Sequence, residues 1–270
     1  MSSAWLEEIR ALGVAEGDTL MLHVSLRKLG ATLAGTQGGA AEVIAAIDEA
    51  VGPDGTWMMI LGGEDPWDWV NRPGNVDEEH RAGLLRGSEP FRSLERTALG
   101  EVGVLAELMR TTPGTEVNDH PEGRFAARGA RARDLLDPTP WDDYYGPGSA
   151  LERFVEWGGK VLRLGADPET VTVLHYAEYL ADVAHPRRVA RHRYWDGPNG
   201  PEIVVVRCLD DEAGLVDLPG EDYFARIVRL YLAEGRALGV GTVGSTTAEL
   251  LDAADLVGYG AAWMSRHLRP

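Results

Sequence analysis

The sequence predicts an α/β fold, with a mixed, largely parallel central sheet flanked by helices and carrying a long loop insertion. Three observations point there. The first sixty or so residues run helix, strand, helix, turn, strand; a third apolar run, Lys160–Gly165, precedes another helical stretch; and amphipathic segments close the chain. Strand, helix and strand of these lengths read as a βαβ unit.

The elements follow in order. Ser3–Leu12 sets Trp5, Ile9 and Leu12 at helical spacing behind a serine cap, and Gly13 ends it. Asp18–Val24 is a short apolar run suited to a buried strand, and Gln37–Val51 is helical with a Val43, Ile44, Ile47 stripe. Gly52-Pro53-Asp54-Gly55 is a turn, and Thr56–Leu61 is the second buried strand. Residues 62–102 are rich in Gly, Pro, Trp and charge and show little periodicity, which marks the insertion. Helices are expected over Val104–Met109, Arg131–Leu136 and Thr172–Val183, and a further strand over Ile203–Leu209. Asp222–Leu238 and Thr246–Trp263 read as amphipathic helices. Gly239-Val-Gly241-Thr-Val-Gly244 fits G-x-G-x-x-G, but a helical stretch precedes it where a dinucleotide fold needs a strand, so it reads as a turn between helices. With no repeat or linker, residues 1–270 are expected to form a single domain.

Composition excludes several functions. The chain has 270 residues, 26 Lys plus Arg against 43 Asp plus Glu, and a formal net charge of −17. A phosphate backbone demands a basic footprint, so this balance argues against nucleic-acid or anionic-membrane binding. The single cysteine, Cys208, excludes an internal disulfide framework, and its apolar setting suits a core thiol. The seven histidines show no metal-ligand spacing, so no metal is expected. No basic, apolar leader opens the chain and no apolar run nears the ~18 residues of a spanning helix, so a cytoplasmic protein is expected.

Three segments carry chemistry. In Gly165–Glu178 a strand ends, a polar loop follows, and His175 and Glu178 stand three apart on one helix face. A carboxylate on one imidazole nitrogen fixes the tautomer and makes the other nitrogen a better base. The same spacing also fits a half-buried histidine paired with a surface glutamate. His23-Val-Ser25-Leu26-Arg27-Lys28 follows the first strand directly, so its amides and the Ser25 hydroxyl sit at a strand's carboxyl end, where open α/β sheets place ligands. There a basic pair in an acidic chain suits a phosphate, or is a solvated turn. Asp119-His120-Pro121 with Arg124 and Phe125 holds a histidine in extended backbone, fit for a ligand contact, a hydrogen-bond bridge or plain packing.

Taken together and in order, these segments resemble the aminoglycoside 3-N-acetyltransferase family. The resemblance runs through His23-Val-Ser25-Leu26, Gly103-Val-Leu-Ala-Glu107, His120-Pro121 with Phe125-Ala-Ala, Tyr145-Gly-Pro-Gly-Ser149, Lys160–Gly165, Thr172-Val-Leu-His175-Tyr-Ala-Glu178, Asp222-Tyr-Phe, Gly241-Thr-Val-Gly244 and Leu250-Leu-Asp252. It departs at Arg124, which stands where relatives have Ser, at Asn118-Asp119 where they have Arg-Ser, and at Val171, in a stretch that often reads Asn-Thr-Thr-Leu-His.

The resemblance implies a fold distinct from the common small N-acetyltransferase fold. It implies acetyl transfer from acetyl-CoA to an aminoglycoside amine, typically N3 of 2-deoxystreptamine, and hence antibiotic resistance. His175 would be the general base, oriented by Glu178. Thr172, or amides near Ser25–Arg27, would face the oxyanion. Coenzyme A would run past His23, Ser25, Leu26, Arg27, His120, Arg124 and Phe125. The acids Glu64, Asp65, Asp210, Asp211 and Glu212 would bind the polycationic acceptor, or the acidity serves solubility alone, and Trp67 and Trp69 either cover its rings or simply pack the loop. A monomer or homodimer is expected. An acetyltransferase of another amine-bearing natural product is the nearest rival, kept open by Arg124 and Val171. A silent ligand-binding protein is a rival of another class.

Overall fold

The computed structural model describes residues 4–30, 37–62, 68–71, 74–97 and 102–268. Its opening follows the expected order: α1 (Ala4–Ala11), β1 (Thr19–Val24), the single turn α2 (Leu26–Leu29), α3 (Gln37–Val51) and β2 (Thr56–Ile60). The 62–102 segment is less irregular than expected. It holds a 3-10 turn, Asp68–Asn71, and a helix, α4 (Glu78–Arg86), started by the Asp77 carboxylate accepting from the His80 amide. That helix is mostly polar, which hid it from periodicity.

Then come α5 (Val104–Thr111), β3 (Glu116–Val117), β4 (Phe125–Gly129), α6 (Ala132–Leu136), α7 (Ala150–Glu156), β5 (Lys160–Leu164) and α8 (Leu174–Leu180). The chain ends with β6 (Arg188–Gly197), β7 (Gly200–Leu209), α9 (Tyr223–Ala233), β8 (Gly239–Val243), β9 (Thr246–Asp252) and α10 (Ala253–His267).

Seven strands form one sheet in the order β3-β4-β2-β1-β5-β9-β8. Only its centre is parallel. β1 pairs in parallel with β2 and β5, whereas β3, β4, β8 and β9 all join antiparallel. The sheet is therefore mixed, and the expectation of a largely parallel one holds for the middle three strands alone. The segments read as a turn at 239–244 and as the first part of a helix from Thr246 are the β8–β9 hairpin. Val243, Ala248, Leu250 and Leu251 are buried there, and their packing on the sheet overrode the helical pattern. A separate two-stranded ribbon, β6–β7, stands outside the main sheet.

Alternation along β1 explains the three layers. Leu20 and Leu22 face one apolar cluster with Ile9, Val43, Ile47 and Leu105 from α1, α3 and α5, while Met21 faces the other. That second cluster gathers Leu135, Phe154, Leu174, Ile227 and Leu256 from α6–α10. Burial on both faces is why the central strands read as unbroken apolar runs. The carboxyl ends of β1, β2 and β5 come together, so the Ser25 turn, the start of the 62–102 segment and the loop leading into α8 share one edge. Among the described residues no helix is long and apolar enough to cross a membrane.

The ribbon is tied to the body by a buried ion pair. The Arg193 Nε donates to Glu122 Oε1 at 2.6 Å, and both side chains are 7% exposed. Removing one partner leaves a buried charge alone, whereas removing both leaves none. Arg193→Met should cost about 3–5 kcal/mol, and adding Glu122→Gln should recover most of it. Urea denaturation of the two single variants and the double variant checks this.

Candidate active site

The site is built around α8. Asp167-Pro168-Glu169-Thr170 forms a short 3-10 turn after β5, with the Thr170 hydroxyl donating to the Asp167 carbonyl, and α8 starts at Leu174, two residues later than expected. His175 lies in the first turn and Glu178 one turn on. The Nδ1–H of His175 donates to Glu178 Oε2 at 2.7 Å. Glu178 is no surface residue: its side chain is 1% exposed against 17% for His175. Its second oxygen, Oε1, accepts from the Tyr223 hydroxyl, which itself accepts the Leu215 amide at 3.2 Å.

Burial disfavours a charged His175, but the charge and hydrogen bond of Glu178, with Asp211 and Asp222 beyond, outweigh it and raise its pKa above 6.5. Nδ1 is held by the carboxylate, so Nε2 is the nitrogen left for chemistry. Two rings fix the imidazole plane. Tyr145 stacks on it at 5.0 Å and 13°, and Phe224 meets it edge-on at 4.8 Å.

His175 opens into a cleft of about 220 Å³ whose wall carries Glu169, Glu178, Asp211, Glu212, Glu221 and Asp222, and, among the described residues, no Lys or Arg. The 210–222 loop supplies most of this wall. Gly214 permits its shape: φ is +76°, and a Cβ there would meet Tyr223 at 2.7 Å. Buried Arg191 of β6 holds the acids from behind, donating from Nη2 to Asp211 and from Nη1 to Glu212 at 2.8 Å. Tyr144 donates to Asp211 Oδ2 at 2.7 Å.

The expected site residues fare differently. Asp211 and Glu212 line the cleft. Asp210 does not: its Oδ1 accepts the Glu212 and Ala213 amides and so shapes the turn. Glu64, Asp65 and Trp67 lie outside the described residues, and Trp69 is exposed on the 3-10 turn. Thr172 is buried, donates to the Thr170 carbonyl at 3.4 Å and does not line the cleft. At the end of β1, Ser25 and Leu26 are half-buried and Arg27 is exposed. His23 is buried beside Arg163 of β5, and burial first, then that cation, lowers its pKa to about 3.

Three of the residues expected along the coenzyme have side chains engaged within the protein. The His120 Nδ1 accepts the Glu122 and Gly123 amides and Nε2–H donates to the Trp141 carbonyl, leaving neither nitrogen open. Arg124 is fully buried and donates to the carbonyls of Gly62 and Arg96, tying two points of the 62–102 segment to the start of β4. Phe125 is a core residue packed edge-on against Tyr145.

Sequence reading missed roles for Tyr223, Phe224, Tyr145, Glu169 and Glu221. The available signal was Asp222-Tyr-Phe, an N-cap followed by two aromatics: Asp222 accepts from the Ala225 amide, and the cap fixes both rings on the cleft.

Residues 21–265 match the family described as aminoglycoside 3-N-acetyltransferase. Aminoglycoside N(3)-acetyltransferase VII of Streptomyces paromomycinus is 36% identical over 97% of this chain and 90% of the relative. Aminoglycoside N(3)-acetyltransferase III of Salmonella is 34% identical with the same coverages. Among solved structures, AAC-IIIb in a binary complex with CoASH superposes with a TM-score of 0.88 at 34% identity, over 97% of this chain and 95% of that one. Sisomicin-bound AAC-VIa gives 0.86 at 32%, over 98% and 97%. The chain belongs to the aminoglycoside 3-N-acetyltransferase family. Its architecture is that of these acetyltransferases and not the small N-acetyltransferase fold.

The histidines set an acid limit on stability. His120 is lowered to about 4, mainly by burial, and His23 to about 3, so below pH 6.5 the unfolded chain binds more protons than the native one. Their contribution is complete above 6.5 and is lost as pH falls toward 4 and 3. His175 has the opposite sign, its contribution being complete below 6.5 and lost as pH rises through its raised pKa. The urea midpoint should therefore drop on acidification from pH 6.5 to 5, and drop less in His120→Asn, measured as a ratio within each variant.

Proposed function

We propose that this protein transfers the acetyl group of acetyl-CoA to an amine of an aminoglycoside, N3 of 2-deoxystreptamine, and so confers resistance. One observation supports it above the rest: a histidine base chained to a buried carboxylate opens into a cleft walled by acids. Acetyl transfer needs a neutral amine, whereas the acceptor's amines are mostly ammonium near neutral pH. The carboxylates favour the polycation through long-range attraction, and Nε2 of His175 takes the proton. The amine nitrogen then attacks the thioester carbonyl, the C–S bond breaks, the nitrogen gives up a second proton as the amide forms, and the coenzyme leaves as thiolate and takes up that proton's equivalent as CoASH.

Glu178 holds the ring in the tautomer with Nε2 free and stabilises the imidazolium once formed. Tyr223 holds Glu178. Thr172 is turned to a backbone carbonyl, so the oxyanion role falls to the amides of Leu26 and Arg27, which open α2 with no preceding turn to bond to. In this reading Ser25, Leu26 and Arg27 contact the coenzyme and Asp211 and Glu212 the acceptor. The reading places the enzyme in the cytoplasm, where acetyl-CoA is available. Arg124 and Val171, the two departures that raise another amine-bearing acceptor, are both fully buried.

Thiol release from acetyl-CoA against aminoglycosides with and without the 3-amino group tests the reading. Turnover is expected only with that group, and His175→Ala should lower kcat by roughly 10²–10⁴ while coenzyme binding persists. Wild-type turnover in that variant removes His175 from the mechanism. Glu178→Gln should fall between and move the acid limb of the pH profile down, because the histidine loses its main charge partner. Silence across the panel with tight coenzyme binding would sink the acceptor assignment.

The acidic wall has its own signature. Raising salt about tenfold should raise KM for the polycation far more than for a mono-amine. Equal rises would remove the cleft's charge from acceptor binding.

A further inference from the structure

We propose that Tyr145 is a positioning residue for this transfer, its ring face lying against the His175 imidazole and stabilising the imidazolium that forms when the acceptor gives up its proton. The inference rests on His175 being the base.

The geometry is specific. The two rings are nearly parallel, 13° apart with centroids at 5.0 Å, an arrangement in which the negative face of the phenol attracts a cationic partner. Tyr145 is itself immobilised. It meets Tyr144 at 4.5 Å and 74° and Phe125 at 5.8 Å and 68°, both edge-on, and is 6% exposed. The platform is thus a core feature, unlike a surface ring that swings away. It also reaches the acceptor wall, because Tyr144 donates to Asp211. A ring held on one side by the core and stacked on the base on the other limits the imidazole to rotation in its own plane. Glu178 then stops that rotation through Nδ1.

Other groups also act on His175 and must be separated from the ring. Glu178 lies on the same helix, Tyr223 on α9 donates to that carboxylate, and Asp211 and Asp222 on the cleft wall add negative charge, with Glu169, Glu212 and Glu221 farther along it. These act through charge or hydrogen bonds, and Phe224 presents its ring edge-on at 4.8 Å. Tyr145 alone of these groups lays its π face on the imidazole, so its effect follows the electron density of its own ring, which substitution at 145 changes while the other groups stay as they are.

The test is a proton NMR titration of the His175 Cε1–H, assigned by its loss in His175→Ala, together with the pH profile of kcat. Tyr145→Phe keeps an electron-rich face and is the reference. Replacing it stepwise with increasingly fluorinated phenylalanines keeps shape while weakening the face. The titration midpoint should fall in steps, to about half a unit to one unit below the reference, and the acid limb of kcat should follow it. Tyr145→Leu should show the full drop and lose the ring-current shift. A midpoint constant across the fluorinated series overturns the proposal, as does an acid limb that ignores the midpoint. If Tyr145→Leu fails to fold, the fluorinated series still decides. The midpoint is read without turnover, so an active His175→Ala would sink the base assignment on other evidence than that which tests the stack.

Discussion

The structure around the cleft depends on one buried carboxylate. Glu178 is nearly inaccessible to water, and an ionised carboxylate in that position costs several kcal/mol unless both oxygens are satisfied. One oxygen takes the His175 Nδ1–H and the other the Tyr223 hydroxyl. Each partner brings constraints of its own. Tyr223 has to open α9 directly behind the Asp222 cap, and Gly214 has to lack a side chain so that the loop can pass over the phenol. Leu215 delivers its amide to the same hydroxyl. The 210–222 loop, α8 and α9 are therefore fixed to one another through Glu178, and the cleft wall inherits that rigidity.

Rigidity lets acids be held close together on that wall. Like charges at short range oppose one another, and Arg191 offsets two of them from beneath with a guanidinium that does not enter the cleft. The ribbon carrying Arg191 is anchored in turn by Arg193 on Glu122. β6–β7 thus acts as a buried positive strut behind a negative surface. The arrangement leaves the open side of the cleft to cations.

Much of this was legible in the sequence, and the parts that were not share a cause. The helix and strand signals of the first sixty or so residues, and the pairing of His175 with Glu178, depend on spacing within single elements, which periodicity reports. The antiparallel outer strands do not. Thr246–Asp252 has a helical pattern of apolar residues, and its neighbours β5 and β8 make it a strand, through pairs such as Leu162 with Leu250 and Val243 with Thr246. β6 escaped notice because Arg188, Arg191 and Arg193 look solvated, yet two of the three are buried against Asp211, Glu212 and Glu122. Tyr145 and Tyr223 are likewise silent in sequence: their roles come from residues 30 and 45 positions away, at His175 and Glu178.

The same reasoning changes what the departures from the family pattern mean. Arg124 in place of a serine looks like a new cationic contact for a phosphate. In the fold it reaches the carbonyls of Gly62 and Arg96, two points of the 62–102 segment that are 34 residues apart. A serine is too short to reach both carbonyls. Val171 is fully buried beneath the turn that presents α8, where an apolar side chain is what the core selects. Neither touches the cleft. The residues that do line it include Asp211, Glu212 and Asp222, whose positions follow from Arg191, Tyr144 and the α9 cap.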